Sequence, residues 1–149
     1  MTSALMADRH QSKAYTYLFN RVPPYYATQR NYAEAADLAT LCVRHTIEQV
    51  NLSNNLVRWP RHYDDVDLRL ANIASSYLVN FATSGNPNVP VATTAAGNVL
   101  RTWPAMSTSR TQVMSLDDVI AAVPVPYQKA FELFDGVYAQ RLGTPLAFQ

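Results

Sequence analysis

Glycine is scarce: the 149 residues include four, Gly85, Gly97, Gly136 and Gly143. Separations of 12, 39 and 7 exclude a G-x-S-x-G elbow, a G-x-G-x-x-G dinucleotide fingerprint and a G-x-x-x-x-G-K phosphate loop. Cys42 is the single cysteine, so neither an intrachain disulfide nor a C-x-x-C metal or redox pair can form. Charge is also sparse, at 15% of residues against the ~25% usual in soluble domains, which points to a surface that is partly covered. Twelve Lys+Arg against eleven Asp+Glu leave a net charge of +1, with neither a nucleic-acid footprint nor an acidic tail. Long apolar runs are missing too. Stretches such as Val119 to Val123 fall far short of the ~20 residues of a membrane span, and the first ten residues lack the apolar core of a signal peptide. A soluble chain is expected.

What is present suits a packed core, since 48% of residues are hydrophobic. The length suggests one unit, residues 1–149, rather than two. Tyr15 to Phe19 (Tyr-Thr-Tyr-Leu-Phe) reads as a short strand buried on both faces. Pro23-Pro24 then interrupts regular structure, and Ala33 to Leu41 reads as a short helix. The clearest element runs from about Asp64 to Ser84, where Val66, Leu70, Ile73, Tyr77 and Phe81 recur at helical period. Asp64 or Asp65 can cap it, and Gly85 stands where a left-handed C-terminal cap belongs. Asn86 to Thr102 reads as a polar loop. Thr111 to Leu116 alternates like a second strand, and Pro126 opens a helix to about Leu142 with Phe131, Phe134, Val137 and Tyr138 facing inward. Two short strands are too few for a stable sheet, so the expected class is α/β with an incomplete sheet, few short strands and two longer amphipathic helices.

Chemistry must come from few residues. The histidines, His10, His45 and His62, are spaced too widely for H-E-x-x-H. His45 and Glu48 stand at i and i+3, a spacing that shares a helical face, but a metal site there would need a third ligand. By its neighbours alone, His45 reads as a hydrogen-bonded structural histidine. Trp59 and Trp103, each followed by proline, read as loop anchors packed on the core. Arg58, Arg61 and His62 are too few to argue phosphate binding. Asp64, Asp65 and Asp67 crowd a helix start, where they favour the dipole more readily than they would hold a metal. Cys42, two residues before Arg44, reads as a small buried residue.

Four segments taken together resemble the C-terminal part of the type-B carboxylesterases, the cholinesterase-like α/β-hydrolases. These are the aromatic strand Tyr15 to Phe19; His45-Thr46-Ile47-Glu48, similar to the family's His-x-x-Glu segment; Asn80-Phe81-Ala82-Thr83-Ser84-Gly85-Asn86-Pro87-Asn88, similar to Asn-Phe-Ala-x-x-Gly-Asp-Pro-Asn; and Trp103-Pro104, trailed by Val113-Met114-Ser115-Leu116. Departures are visible as well. Asn86 replaces the aspartate, the flanks of the histidine are Val43-Arg44 and Gln49-Val50-Asn51-Leu52, and the stretch before His45 is elongated.

The resemblance implies an α/β-hydrolase fold and ester hydrolysis by a serine mechanism. It implies that His45 is the catalytic histidine and Glu48 a supporting residue of its loop. The family's triad runs Ser, then Asp or Glu, then His along the chain, so a C-terminal segment holds the histidine and lacks the elbow. The implied partners are a small ester substrate and the N-terminal part of the hydrolase domain, with no nucleic acid, metal or cofactor; the chain alone is expected to be inactive. The alternative is a non-catalytic, hydrolase-like interaction module whose apolar surface binds another protein.

Overall fold

The computed structural model describes residues 12–24, 43, 45–107, 109 and 111–142. The expected helix over Ala33 to Leu41, the thiol of Cys42, and Arg44, His10 and Gly143 lie outside the described residues.

Three strands form one mixed sheet in the order β1 (Tyr17–Phe19), β2 (Gln112–Leu116), β3 (Ala121–Pro124). Strands β1 and β2 run parallel, with Tyr17 opposite Met114 and Phe19 opposite Leu116. A parallel pair needs a crossover, and the long helix α2 (Asp65–Ser84) lies within the connection. Before it come the single turn α1 (Gln49–Leu52) and a 3-10 turn over Leu56–Arg58; helix α3 (Gln128–Leu142) follows the sheet.

The long helix forms as its sequence dictates. Asp64 accepts a bond from the Asp67 backbone N–H while the Asp67 side chain accepts from that of Asp64, closing a capping box of two carboxylates. At the other end Gly85 adopts φ 70°, a left-handed conformation natural to glycine, and its N–H donates to the Phe81 carbonyl. Leu70, Ile73, Ala74 and Tyr77 are buried and pack with Phe19, Met114 and Leu116 around Trp103. Phe81, at the edge of the same face, is half exposed and meets Tyr15 edge-to-face at 6.0 Å. Three tyrosine rings, of Tyr15, Tyr17 and Tyr77, stand nearly perpendicular to the Trp103 ring, and its indole N–H donates to the Thr16 carbonyl at 3.1 Å. Edge-to-face packing suits the ring quadrupoles.

Several expectations change. Strand β1 is shorter than Tyr15 to Phe19 and has apolar contacts on both faces: Phe19 packs into the main core and Leu18, on the opposite face, packs against Met106 and Val113, while Tyr17 is 37% exposed. Residues Val113 to Leu116 are all buried: β2 is the central strand, so both its faces are covered. Strand β3 was not expected, because its Ala-Ala-Val-Pro sequence carries little β preference. It forms by hairpin pairing with β2, Val113 lying opposite Val123. Helix α3 begins at Gln128, and the inward face assigned to it is wrong. Phe131, Phe134, Val137 and Tyr138 are 37% to 59% exposed, so none contributes to the described core. Trp103 is the core anchor expected of it, whereas Trp59 is nearly half exposed and is not.

Candidate active site

The segment Asn80 to Asn88 is a structural clamp. Asn80, buried at the end of α2, donates through its amide to the carbonyls of Pro87 (2.9 Å) and Val91 (2.7 Å), and its Oδ1 accepts from the Val91 N–H at 3.2 Å. Asn86 Oδ1 accepts from the Asn88 backbone and side chain and from the Tyr15 hydroxyl. Asn88 in turn brackets the Trp103 backbone, accepting from its N–H at 2.6 Å and donating to its carbonyl at 2.9 Å. The three asparagines thereby satisfy loop carbonyls and amides that no helix or strand would pair.

A second clamp holds the C-terminal end of β1. The Arg21 guanidinium gathers three carboxylates: Asp67 at 2.7 Å, Asp64 at 2.9 Å and Asp118 in the β2–β3 turn. It therefore joins β1, the first turn of α2 and the hairpin. The bond to buried Asp67, ahead of the other carboxylates, drives the Arg21 pKa further above its ordinary value. The backbone N–H of Asp67 holds the Asp64 carboxyl below its usual range; burial opposes this, and the Arg21 guanidinium reinforces it. Sequence reading missed Arg21 because its partners lie 43, 46 and 97 residues away. Its one local signal was a cation two residues past the end of a strand.

The His45 segment sits beside this framework. Val43 and Ile47 are partly buried against the core cluster, while His45 and Thr46 between them are exposed. The imidazole is thus presented outward on a turn anchored at both sides. His45 and Glu48 do not share a helical face, because the helix starts only at Gln49 and Thr46 adopts φ 70°. A β-branched residue in left-handed conformation costs roughly 1–2 kcal/mol, so this turn stores strain next to the histidine. The Glu48 carbonyl accepts from the N–H groups of Asn51 (3.0 Å) and Leu52 (2.9 Å), fixing α1 to the turn. The Glu48 carboxylate lies toward β1: burial first, and its negative charge second, raise the Tyr17 phenol above its ordinary pKa. Asn51 is buried, with no hydrogen-bond partner for its Oδ1 among the described residues.

Asp64 and Asp67 serve as the cap of α2 and as ligands of Arg21, and no group of three or more His, Cys, Asp or Glu able to hold a metal occurs among the described residues. Arg61 of the small basic cluster donates to the Pro24 carbonyl at 2.7 Å, while Arg58 and His62 are exposed. No helix among the described residues is long and apolar enough to cross a membrane.

Comparison with known proteins places this geometry. The carboxylesterase family profile matches residues 1–131. Among solved structures, the Geobacillus stearothermophilus carboxylesterase EST55 is similar with a TM-score of 0.59 at 18% identity, over 84% of this chain and 22% of that one. A structure titled PNB esterase aligns at 25% identity with a TM-score of 0.44, over 59% of this chain and 16% of that one. The chain thus spans less than a quarter of the length of either structure. A search of curated proteins gave no significant match. The mixed sheet with its three helices corresponds to the C-terminal part of an α/β-hydrolase fold.

Proposed function

We propose, because the chain belongs to the carboxylesterase family, that it is the C-terminal segment of a serine ester hydrolase and supplies the histidine but not the nucleophile. In the complete active site a serine from a preceding segment attacks the ester carbonyl while His45 accepts its proton. The tetrahedral adduct collapses, His45 returns the proton to the departing alcohol, and water repeats the sequence on the acyl-enzyme. An Asp or Glu of the preceding segment orients the imidazole and stabilises its charged form. Glu48 keeps the histidine turn in place.

The observation that carries this reading is the anchored, outward-facing turn at His45. Val43 and Ile47 fix it to the core while the imidazole remains accessible. The sheet offers a second support. Among the described residues β1 pairs only with β2, so its other edge is open to a further strand. The exposed aromatic residues of α3 likewise suit a surface covered in a larger domain.

The test is to produce the chain joined to the hydrolase segment that carries the elbow serine and compare variants on a chromogenic acetate ester. His45→Ala is expected to lower kcat by at least about 1,000-fold with little change in KM. Glu48→Gln is expected to cost roughly 10-fold, as befits a residue acting through another. Undiminished turnover by the His45→Ala enzyme refutes the assignment and favours the interaction module.

A further inference from the structure

A groove of about 280 Å³ opens where α2, residues 98–101 and the β2–β3 turn meet, and no residue of the His45 turn lines it. Ile73 of α2 and Ile120 of the turn give it an apolar floor, and Val99 and Val119, 71% and 74% exposed, form an apolar rim. Its cations are Arg69 and Arg101. Arg69 Nη2 donates to the Asp118 carbonyl at 2.9 Å, which fixes that guanidinium beside the turn and leaves its other N–H groups available. The Arg101 side chain has no hydrogen bond or ion pair among the described residues. Its backbone is nonetheless fixed, because the Arg101 carbonyl accepts the buried Tyr77 hydroxyl. The one carboxylate of the lining, Asp118, also meets Arg21, a cation it shares with Asp64 and Asp67. The lining therefore holds two guanidinium groups against one carboxylate, beside hydrocarbon walls.

We propose that this groove binds a small monocarboxylate bearing a hydrocarbon tail, with its carboxylate held by Arg101 and Arg69 and its tail against Ile73, Val99, Val119 and Ile120. A guanidinium presents parallel N–H donors that match the two oxygens of a carboxylate. The apolar walls reward a tail that bare phosphate lacks. The volume lies just under the ~300–1,000 Å³ of pockets for drug-sized molecules, which limits the ligand to roughly ten non-hydrogen atoms. Binding here depends neither on ester cleavage nor on His45.

The test is a titration of the 149-residue chain with hexanoate, 1-hexanol and inorganic phosphate, followed by calorimetry and by amide chemical shifts. Hexanoate is expected to bind with a Kd of about 1 mM or tighter, and each of the other two at least about 10-fold more weakly. Shifts should centre on Arg69, Val99, Arg101 and Val119. Arg101→Gln, at an exposed site, should weaken hexanoate at least about 10-fold with an unchanged circular dichroism spectrum. Val119→Asp, which sets a carboxylate at the rim without touching the core, should abolish binding. Equal affinity for hexanoate and hexanol overturns the proposal, as does equal affinity for phosphate. Hexanoate binding unchanged in both variants, or shifts centred elsewhere, also overturns it.

Discussion

Replacing Arg21 with methionine isolates the clamp that joins β1 to α2 and to the β2–β3 turn. Methionine keeps much of the apolar stem and removes the guanidinium, so the loss is electrostatic. Two of the three bonds matter little: the side chains of Asp64 and Asp118 are 58% and 64% exposed, and such pairs contribute about 0–1 kcal/mol. The third decides the outcome. Asp67 is 3% exposed, and without Arg21 its carboxylate keeps only the Asp64 N–H as a partner. Breaking a buried pair from one side costs about 3–5 kcal/mol, and the 17% exposure of Arg21 trims this to about 2–4 kcal/mol. In a chain of this length that lowers Tm by roughly 4–16 °C. Urea unfolding followed by tryptophan fluorescence reads it as a lower midpoint at unchanged slope. The double variant Arg21→Met/Asp67→Asn should recover most of the loss, because the asparagine oxygen still accepts from Asp64 and carries no charge. A loss below about 0.5 kcal/mol in Arg21→Met, or no recovery in the double variant, refutes the view that a buried charge needs this arginine.

Other consequences are equally open to measurement. Asn80→Ala leaves the carbonyls of Pro87 and Val91 and the Val91 N–H without their partner, so chemical denaturation should show a loss of about 2–4 kcal/mol. Thr46→Gly removes the left-handed strain at φ 70° and should raise stability by about 0.5–1 kcal/mol after the glycine's own entropy cost. Burial pushes the Tyr77 phenol up to about 12 from its ordinary 10.0, against weaker opposing effects of the Arg101 backbone and of its positive charge. A raised folded-state value means stability is intact below pH 10 and falls from there through about 12, so Tm should decline across that window and Tyr77→Phe should flatten the decline. Asp64 has the opposite sign: its folded-state value is lowered, so its contribution is present above 3.8 and lost as pH falls below it. Asp64→Asn should shrink the acid end of the Tm profile.

Long-period patterns and local signals were legible in the sequence. The periodicity of α2, its capping aspartates and Gly85 all describe one helix whose core face, Leu70, Ile73 and Tyr77, is buried as spaced. The Asn80 to Asn88 string announced the family, and its role became physical only in the fold, where it clamps the loop to Trp103. Three things were not legible. Strand β3 depends on hairpin pairing rather than on its own alanines, and the Arg21 clamp joins residues far apart in sequence. The apolar residues of α3 have helical spacing, but spacing says only that they share a face and not that this chain covers it. At His45, the sequence supplied the residue, whereas the turn that presents it depends on Thr46 adopting a conformation that threonine resists.

The most direct measurement is p-nitrophenyl acetate hydrolysis by the 149-residue chain alone, beside its His45→Ala variant and free imidazole at equal concentration. A chain that brings the histidine without an activated serine should turn over no faster than imidazole and should show no acyl-enzyme burst. Histidine-dependent turnover well above imidazole, with a burst, would contradict the account.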